Sequence, residues 1–402
     1  MINRLWWIDP GNVLALVVLP VFVMSAIIGG PYMPQFGTSN FLTPAMITLG
    51  AVCVIVMASA AKVGMAVTSR QNPQHLTFDR RLYDLLLVAF LVVTLVAYAL
   101  LLGPLLADPA NILDVLSGEM GAVYVAKREM GKLVGVTTLT NLAPLVACMC
   151  SVRFLLWGRF LPSRGTLMLA AFLPFFILVH AFIGAERIVL MENAIAFMLP
   201  LFSFWDRLRA VGRYAPFLGA AAGIIIFAVG EFQRSWPYHS GYYDSFAQFA
   251  GLRLLGYVAV ASNTGAGMVT TMPPVGYPLI TARWVTKLPF FDTSQGTYQD
   301  QYLQSFGNIE FNNPGGIMAP LVDFGIPIGL VVLLLFGILL GFIYGLYRNR
   351  HPVGLLAYPI FFVGLVDLTQ IWFWGEPRFL PRLIFLAIAI LIAVRRPVLR
   401  HA

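Results

Sequence analysis

The feature that most constrains this chain is a series of about ten apolar stretches, each long enough to cross a bilayer and most of them joined by short polar turns. Charged residues make up only 11% of the chain, compared with about 25% in an average soluble protein. We therefore expect an all-α polytopic membrane protein in which 1–402 form a single integral-membrane domain. The predicted spans are 12–28, 42–67, 85–106, 136–157, 167–182, 188–204, 216–232, 324–347, 353–373 and 380–394.

The first apolar stretch is predicted to remain in the protein as a span, because no small-residue cleavage site follows it. Cys53, Cys148 and Cys150 all lie inside apolar stretches. Cys148 and Cys150 are two residues apart and so face different sides of a helix. We interpret the three cysteines as small buried hydrophobes rather than as a disulfide or a metal site.

The distribution of basic residues predicts the orientation of these spans. With the N-terminus in the cytoplasm, 16 of the 26 Lys and Arg fall inside with four of the 18 acids, giving +12 inside (16 − 4) and −4 outside (10 − 14). Basic residues favour cytoplasmic loops, so an even number of spans with both termini cytoplasmic fits best. The net charge of +8 then reflects topology, and we expect no nucleic-acid partner.

Two outer segments are long: 233–320 and, secondarily, 107–135, in which 114–130 is predicted to form a surface helix. A bundle with short loops rarely carries a long one without a function for it. The first segment is rich in aromatic rings, which stack on sugars, and in amides, which bind sugar hydroxyls. We expect it to contain short interfacial helices, near 244–261, 279–288 and 299–306, and an irregular stretch over 263–278, where Gly and Pro recur.

Charged residues near the outer ends of the spans are the candidate site. Arg187 opens a helix after a turn of a few residues, where the helix dipole favours an anion and a guanidinium fits phosphate oxygens. Its structural alternatives are pairing with Glu186 or Glu192, or contact with lipid phosphate. Glu192 lies about one and a half turns further on, near the same predicted cavity, and an acid within a span suggests a function. Its structural alternative is a partner in a buried ion pair.

Several carboxylates compete for the role of general base, and no motif singles one out. Asp323 has capping of the following helix as its alternative role. Glu376 has pairing with Arg378 in its own turn as an alternative. The outer-face candidates for the base are Asp300, Glu310, Asp323, Glu376 and His239. No P-loop, GxSxG, HExxH or CxxC arrangement occurs in the sequence, and the inner loops are too short to form a pocket.

Two stretches resemble bacterial oligosaccharide repeat-unit polymerases, the O-antigen polymerase (Wzy-like) family. Residues 184–192, GAERIVLME, resemble the family's small-residue turn and helix-opening arginine. Residues 308–341, with NNPGG at 312–316 and DFGIPIG at 323–329, resemble the segment that enters the span after the main periplasmic loop. The layout of about ten spans with one dominant loop is similar to the family more loosely.

The resemblance implies a GT-C-like glycosyltransferase at the periplasmic face of the bacterial inner membrane. Its donor and acceptor are glycans on undecaprenyl diphosphate. The acceptor hydroxyl attacks the anomeric carbon of the donor, and lipid diphosphate leaves. The resemblance implies no cofactor and no metal, and it admits a polysaccharide chain-length regulator as a partner. Arg187 then neutralises the leaving diphosphate, and Asp323, Phe324 and Gly325 match a segment that we interpret as positioning.

The predicted site combines this resemblance with the charges and aromatic residues of the outer face. The catalytic candidates are Arg187, Glu192, Arg283, Glu310 and Asp323. The substrate-binding candidates are Arg253, Lys287, Arg378, Arg382, Trp236, Tyr243 and Trp284. Many family members have two sizeable periplasmic loops with basic residues, whereas the loop that holds Arg187 is minimal here, which weakens a two-loop catalytic model.

Three other functions remain open. An O-antigen ligase shares the architecture and the donor but normally needs a prominent periplasmic His and Arg pair, and His239 is the only histidine in the long loop. A flippase or transporter of lipid-linked oligosaccharides calls for charged residues along a path across several helices, and few ionisable groups lie mid-membrane. An O-acyltransferase calls for a histidine on a membrane helix with an Asn or Asp partner, for which His180 is the nearest candidate.

Overall fold

The computed structural model describes residues 5–70, 76–117, 119–131, 133, 135–184, 186–287 and 297–395. These residues form helices and one short two-stranded ladder. The helices of the first half are α1 Pro10–Tyr32, α2 Pro44–Arg70, α3 Arg80–Ala107, α4 Pro109–Ser117, α5 Ala122–Glu129, α6 Ala143–Trp157, α7 Arg164–Ile183 and α8 Arg187–Phe204. Those of the second half are α9 Asp206–Gly212, α10 Ala215–Arg234, α11 Trp236–His239, α12 Phe246–Thr271, α13 Thr297–Ser305, α14 Ala319–Arg348, α15 Pro352–Val366 and α16 Phe379–Ala393.

Shorter elements connect these helices. The 3-10 turns are Trp6–Ile8, Gly30–Tyr32, Thr137–Leu142, Arg283–Lys287, Ile309–Phe311 and Phe373–Gly375, and a π-helical turn, Leu14–Val18, lies within α1. Strands β1 Thr77–Phe78 and β2 Val394–Arg395 pair antiparallel, with Thr77 opposite Arg395. The sequence did not suggest this ladder, because a two-residue strand leaves no periodicity to detect.

Eight helices among the described residues are long and apolar enough to cross a membrane, as expected of a multi-pass membrane protein. They are α1, α2, α3, α6 with the 3-10 turn before it, α7, α8, α10 and α14. The two remaining predicted spans correspond to α15 and α16, which are apolar but only 15 residues long. Fifteen residues rise roughly 22 Å, less than the ~30 Å of a hydrocarbon core. The prediction of about ten spans is therefore confirmed for eight, and the predicted span 353–373 ends early, at Val366.

Helix α12 departs most from the sequence prediction. A short interfacial helix over 244–261 was expected to give way to irregular chain over 263–278, but the helix continues to Thr271. Residues 259–268 are buried in the protein instead of lying on a membrane surface. The first proline after the start of the helix is Pro273, so nothing interrupts its hydrogen bonds before that point.

Two glycines of α12, Gly265 and Gly267, serve close packing rather than helix breaking. A Cβ at Gly265 would lie 2.8 Å from the carbonyl oxygen of Pro314, and one at Gly267 would lie 2.0 Å from the hydroxyl of Tyr302. Isolated glycines are tolerated in a helix at a cost of about 1 kcal/mol each, which tertiary packing offsets. The other predicted loop helices are present with shifted bounds: α4 and α5 for 114–130, the Arg283–Lys287 turn for 279–288, and α13 for 299–306.

The chain divides into two compact units. The first comprises 1–5, 75–252 and 381–402, with α3 to α11 and the β-ladder. The second comprises 6–74 and 253–380, with α1, α2, most of α12, and α13 to α15.

In the first unit, a buried arginine joins α3 to α6. Arg153 donates from Nε and Nη2 to the two carboxylate oxygens of Asp84, at 2.7 and 3.0 Å, and from Nη1 to the carbonyl of Arg159 at 2.7 Å. Tyr83 of α3 also donates to the carbonyl of Met149 at 2.8 Å. A two-pronged guanidinium–carboxylate pair fixes both distance and angle, so it sets how these helices pack.

In the second unit, α2 and α14 touch through glycines. A Cβ at Gly341 would lie 1.9 Å from the carbonyl oxygen of Ala61, and one at Gly337 would lie 2.5 Å from that of Met57. On the facing helix, a Cβ at Gly64 would lie 2.0 Å from the carbonyl oxygen of Ile338. Small residues four apart on one face let membrane helices approach closely, so the contact relies on the absence of these side chains.

We expect Gly341→Ala to lower the melting temperature of the purified protein in detergent, because the added methyl must push α2 away. Overpacking of this kind costs about 1–3 kcal/mol. Gly223→Ala on α10 is the matched control, since no described neighbour lies within 4 Å of a Cβ there. The control should melt at or slightly above the wild-type temperature, because alanine favours helix. Equal melting temperatures for the two variants would contradict the close contact.

Candidate functional site

Helix α14 bends near its beginning, because two residues there cannot continue a regular helix. Gly325 has φ 75° and ψ 170°, a conformation that favours glycine. Pro327 lacks the N–H that would bond to the carbonyl of Asp323, one turn earlier. That carbonyl instead accepts a hydrogen bond of 2.7 Å from the N–H of Gly276. The sequence Asp-Phe-Gly-Ile-Pro therefore docks the segment that follows α12 onto α14.

The carboxylate of Asp323 strengthens this docking. It is 0% exposed and accepts hydrogen bonds from the N–H of Ile280 at 3.0 Å, and from the N–H and hydroxyl of Thr281 at 2.7 and 2.6 Å. The interpretation of Asp323 as a helix cap is wrong, because its carboxylate accepts hydrogen bonds from Ile280 and Thr281 and, among the described residues, from no N–H of α14. Asp323 thus holds the turn that leads directly to Arg283.

A polar pocket of about 140 Å³ lies beyond this turn, within the second unit. Its lining combines two guanidinium groups, two carboxylates and three amides, an unusual concentration in a chain of which only 11% of residues are charged. The lining residues are Arg283, Gln299, Asp300, Leu303, Asn312, Asn313, Ile371, Glu376 and Arg378. Of the predicted site residues, Arg283 and Arg378 meet here.

Arg283 is oriented from two sides in the polar pocket. Its Nη2 donates to Oε1 of Gln299 at 2.6 Å, and its Nη1 lies 3.5 Å from Oε1 of Glu376. The amide nitrogen of Gln299 in turn donates to the carbonyl of Asn312. The expected pairing of Glu376 with Arg378 is not the one observed, because Arg283 comes close to Glu376 from another part of the chain. A guanidinium held in this way is prepared to meet an anion without reorganising.

Tyr298 anchors α13, the helix that carries two of the pocket residues. Its hydroxyl donates to the carbonyl of Pro273 at 2.5 Å. Burial, with the negative charge of Asp323 adding to it, raises the pKa of Tyr298 to about 12. The phenol therefore keeps its proton, and this hydrogen bond persists, across the physiological pH range.

An apolar groove of about 420 Å³ lies at the α14 bend, where Gly325 and Pro327 line it. Val322 and Phe324, the two neighbours of Asp323, both line it. The complete lining is Met268, Val269, Met272, Pro274, Leu321, Val322, Phe324, Gly325, Ile326 and Pro327. The segment held by Asp323 therefore begins at the apolar groove, with Pro274, and ends in the polar pocket, with Arg283.

Arg253 and Glu310, two further predicted site residues, bind each other. Arg253 is buried, its Nη2 lies 2.7 Å from Oε1 of Glu310, and its guanidinium stacks over the ring of Phe311 at 4.8 Å. Neither residue lines the polar pocket. This pair fastens the segment before α14 to α12, which is a structural role that the sequence did not reveal.

In the first unit, Glu192 pairs with Arg382. Both are almost fully buried, and Nη2 of Arg382 donates to Oε2 of Glu192. Nε of Arg382 donates to the carbonyl of Asn141 at 2.8 Å. The alternative that Glu192 is a partner in a buried ion pair is therefore confirmed, and its partner lies 190 positions away along the chain.

Arg187 pairs with neither of its predicted partners. It lies across α10, where its Nη2 donates to Oε1 of Glu231 at 2.6 Å and its Nη1 to the carbonyl of Phe227 at 3.2 Å. Gly230 leaves room for this side chain. Arg234 donates to the same oxygen of Glu231 at 2.9 Å, so two guanidinium groups share one buried carboxylate. These three side chains together carry one net positive charge.

Trp236 and Tyr243, two of the three aromatic residues predicted to bind the substrate, belong to a cluster around Phe249, also in the first unit. The rings of Trp236, His239 and Tyr243 lie 5.6, 5.2 and 5.3 Å from that of Phe249. Tyr242, which the sequence did not single out, is 83% exposed and offers a free ring face next to this cluster.

Trp284 lies in the turn Arg283–Lys287 and is half-buried, whereas the side chain of Lys287 lies outside the part of the chain that the structure describes. Sequence reasoning missed Gln299 and Glu231 as partners of the site arginines. A polar residue at a helix end is common, so neither carried a signal of its own.

We expect Asp323→Asn to lower the melting temperature in detergent. The amide keeps one acceptor oxygen, but its NH₂ group then faces N–H and hydroxyl donors, and an unsatisfied buried group costs about 1–3 kcal/mol. Asp206→Asn is the control, because its carboxylate is 87% exposed and its ion pair with Arg209 contributes little. A melting temperature equal to that of the control would show that the carboxylate does not hold the 280–281 turn.

We expect Arg382→Met to lower the melting temperature more than the double variant that also carries Glu192→Gln. It leaves the buried carboxylate of Glu192 without the guanidinium, and breaking a buried pair on one side costs about 3–5 kcal/mol. Adding Glu192→Gln removes the uncompensated charge, so the double variant should regain part of the lost melting temperature. A double variant that melts below Arg382→Met would contradict this account.

Comparisons of this chain with protein-family models, with curated proteins and with solved structures found no match.

Proposed function

We propose that this chain polymerises oligosaccharide repeat units carried on undecaprenyl diphosphate, at the periplasmic face of a bacterial inner membrane. The acceptor hydroxyl attacks the anomeric carbon of the donor, and lipid diphosphate leaves. The observation that carries this proposal is the polar pocket, in which arginines, amides and carboxylates meet within a multi-pass membrane protein.

The arginines of the pocket suit the leaving group. Charge develops on the diphosphate as the glycosidic C–O bond breaks, and fixed cationic donors stabilise that charge. Arg283 is already oriented by Gln299 and Glu376, and Arg378 lines the same cavity. A guanidinium binds phosphate oxygens through two parallel N–H groups, which a lysine cannot do.

The amides of the pocket suit the sugar. Asn312 and Asn313 each carry both donor and acceptor side-chain atoms, the combination that a sugar hydroxyl requires. In the first unit, the exposed ring of Tyr242 beside Trp236 and Tyr243 offers a stacking surface for the growing chain. The role of Arg187 in neutralising diphosphate, which the family resemblance implies, adds to this proposal.

The lipid part of the substrate needs an apolar site next to the diphosphate site. The apolar groove supplies one, since ten apolar residues line it and a single docked segment joins it to the polar pocket. The polyprenyl chain is the occupant that we propose. A lipid diphosphate with its chain at Phe324 and its head at Arg283 would lie on both sides of the Asp323 turn.

The test is complementation of a deletion strain, with surface polysaccharide length read on a gel. Wild type and Arg283→Ala should be expressed at equal levels. Arg164→Ala is the control, because Arg164 is exposed and belongs to neither cavity. We expect wild type and the control to restore a ladder of long chains. Arg283→Ala should leave mainly single repeat units, since losing one such donor slows a reaction by about 10²–10³.

Other outcomes separate the rival functions. If the deletion strain accumulates full-length polymer still attached to its lipid carrier, the chain is a ligase. If single repeat units accumulate on the cytoplasmic side, the chain is a transporter. If Arg283→Ala restores the ladder as well as wild type does, the polar pocket is not the site of polymerisation.

A further inference from the structure

One carboxylate of the polar pocket differs from the other candidate bases in that its side chain has no partner among the residues that the structure describes. Glu310 is bound to Arg253 at 2.7 Å, and Glu376 lies 3.5 Å from Arg283. Asp323 is buried beneath three donors. Asp300 lines the same pocket as Arg283, is exposed, and forms no hydrogen bond or ion pair with any described residue.

The remaining candidate, His239, is excluded by its surroundings. Its ring stacks on Phe249 at 5.2 Å within the aromatic cluster, and it lines neither the polar pocket nor the apolar groove. Elimination among the five candidates therefore leaves Asp300, an exposed carboxylate that lines the same pocket as Arg283 and Arg378, where we propose that the diphosphate binds.

We propose that Asp300 is the general base of glycosyl transfer, an inference that rests on the proposed polymerase function. The acceptor hydroxyl gives its proton to the carboxylate of Asp300 as its oxygen bonds to the anomeric carbon of the donor. The bond between that carbon and the diphosphate oxygen breaks at the same time, and its electron pair leaves with lipid diphosphate. Arg283 and Arg378 stabilise the charge that departs.

The position of Asp300 on α13 supports this role. It follows Gln299, which orients Arg283, so one helix turn carries both the proton acceptor and the residue that positions the diphosphate cation. The hydroxyl of Tyr298 donates a hydrogen bond to the carbonyl of Pro273 and so attaches this helix turn to the residues just before the segment that Asp323 holds. The charged groups that share the pocket are Arg283, Arg378 and Glu376. A base must lie within reach of the proton it accepts, and its neighbours must leave a lone pair free.

A different role for Asp300 would be structural. An acid in the first turn of a helix stabilises the helix dipole by about 0.3–1 kcal/mol. That role would affect melting temperature and expression without changing how the rate depends on pH. The two roles therefore predict different measurements on the same variant.

The experiment uses full-length protein in lipid nanodiscs with a lipid-diphosphate-linked repeat unit as donor and acceptor. Asp300→Asn should lower kcat by about 10²–10⁴ while KM for the donor changes little. The fall in rate that the wild type shows on the acid side, where its base becomes protonated, should disappear in Asp300→Asn. Added formate should restore part of the rate, and Asp300→Glu should retain more activity than Asp300→Asn.

Asp244→Asn is the matched control, because it removes an exposed carboxylate from the same predicted loop, and Asp244 does not line the polar pocket. It should keep the wild-type kcat and pH profile. An active wild type whose Asp300→Asn variant keeps the same kcat and acid-side fall overturns the role of Asp300 and leaves polymerisation intact. A wild type that extends no chain in this assay overturns the proposed function and the role of Asp300 with it.

Discussion

The break in α14 is the constraint on which the candidate site depends. Gly325 and Pro327 interrupt the helical hydrogen bonds that the carbonyls of Val322 and Asp323 would otherwise accept. These carbonyls instead accept hydrogen bonds from the N–H groups of Val275 and Gly276, at 3.2 and 2.7 Å. An unpaired carbonyl costs several kcal/mol in a membrane, so irregular backbone persists only where another segment satisfies it. The segment that does so here leads directly to Arg283. The same bend thus shapes the apolar groove and aims a cation into the polar pocket.

The charges of the chain fall into two groups with different physical roles. Buried pairs such as Glu192 with Arg382, and Arg153 with Asp84, fix the packing of helices, because a buried charge is tolerated only beside its partner. The polar pocket holds charges that remain accessible, including Arg283, whose side chain is 40% exposed although it has two partners. Accessible charges contribute little to stability. The lipid diphosphate that we propose as substrate gives a reason for their concentration in one cavity.

The sequence predicts what depends on local pattern. Length and hydropathy located eight membrane-length helices, because both are local properties of the chain. Sequence reasoning failed where contacts with residues far away along the chain determine the local structure or the pairing of a side chain. Gly265 and Gly267 signalled a broken helix, although they serve contacts with Pro314 and Tyr302. The partners of Arg187 and Glu192 lie 44 and 190 positions away, and no spacing rule connects residues so far apart.

A glycosyl transfer that uses no metal must draw both of its electrostatic requirements from side chains: cations for the departing diphosphate and a base for the incoming hydroxyl. These two requirements conflict, because an arginine close to a carboxylate neutralises it. In the polar pocket, Arg283 lies beside the carboxylate of Glu376 and donates a hydrogen bond to the neutral amide oxygen of Gln299. Asp300 is thereby left without a cationic partner among the described residues, although two arginines line its cavity. In the proposed mechanism, Glu376 therefore pairs with the cation while Asp300 accepts the proton, so that one pocket can bind an anion and also hold a base.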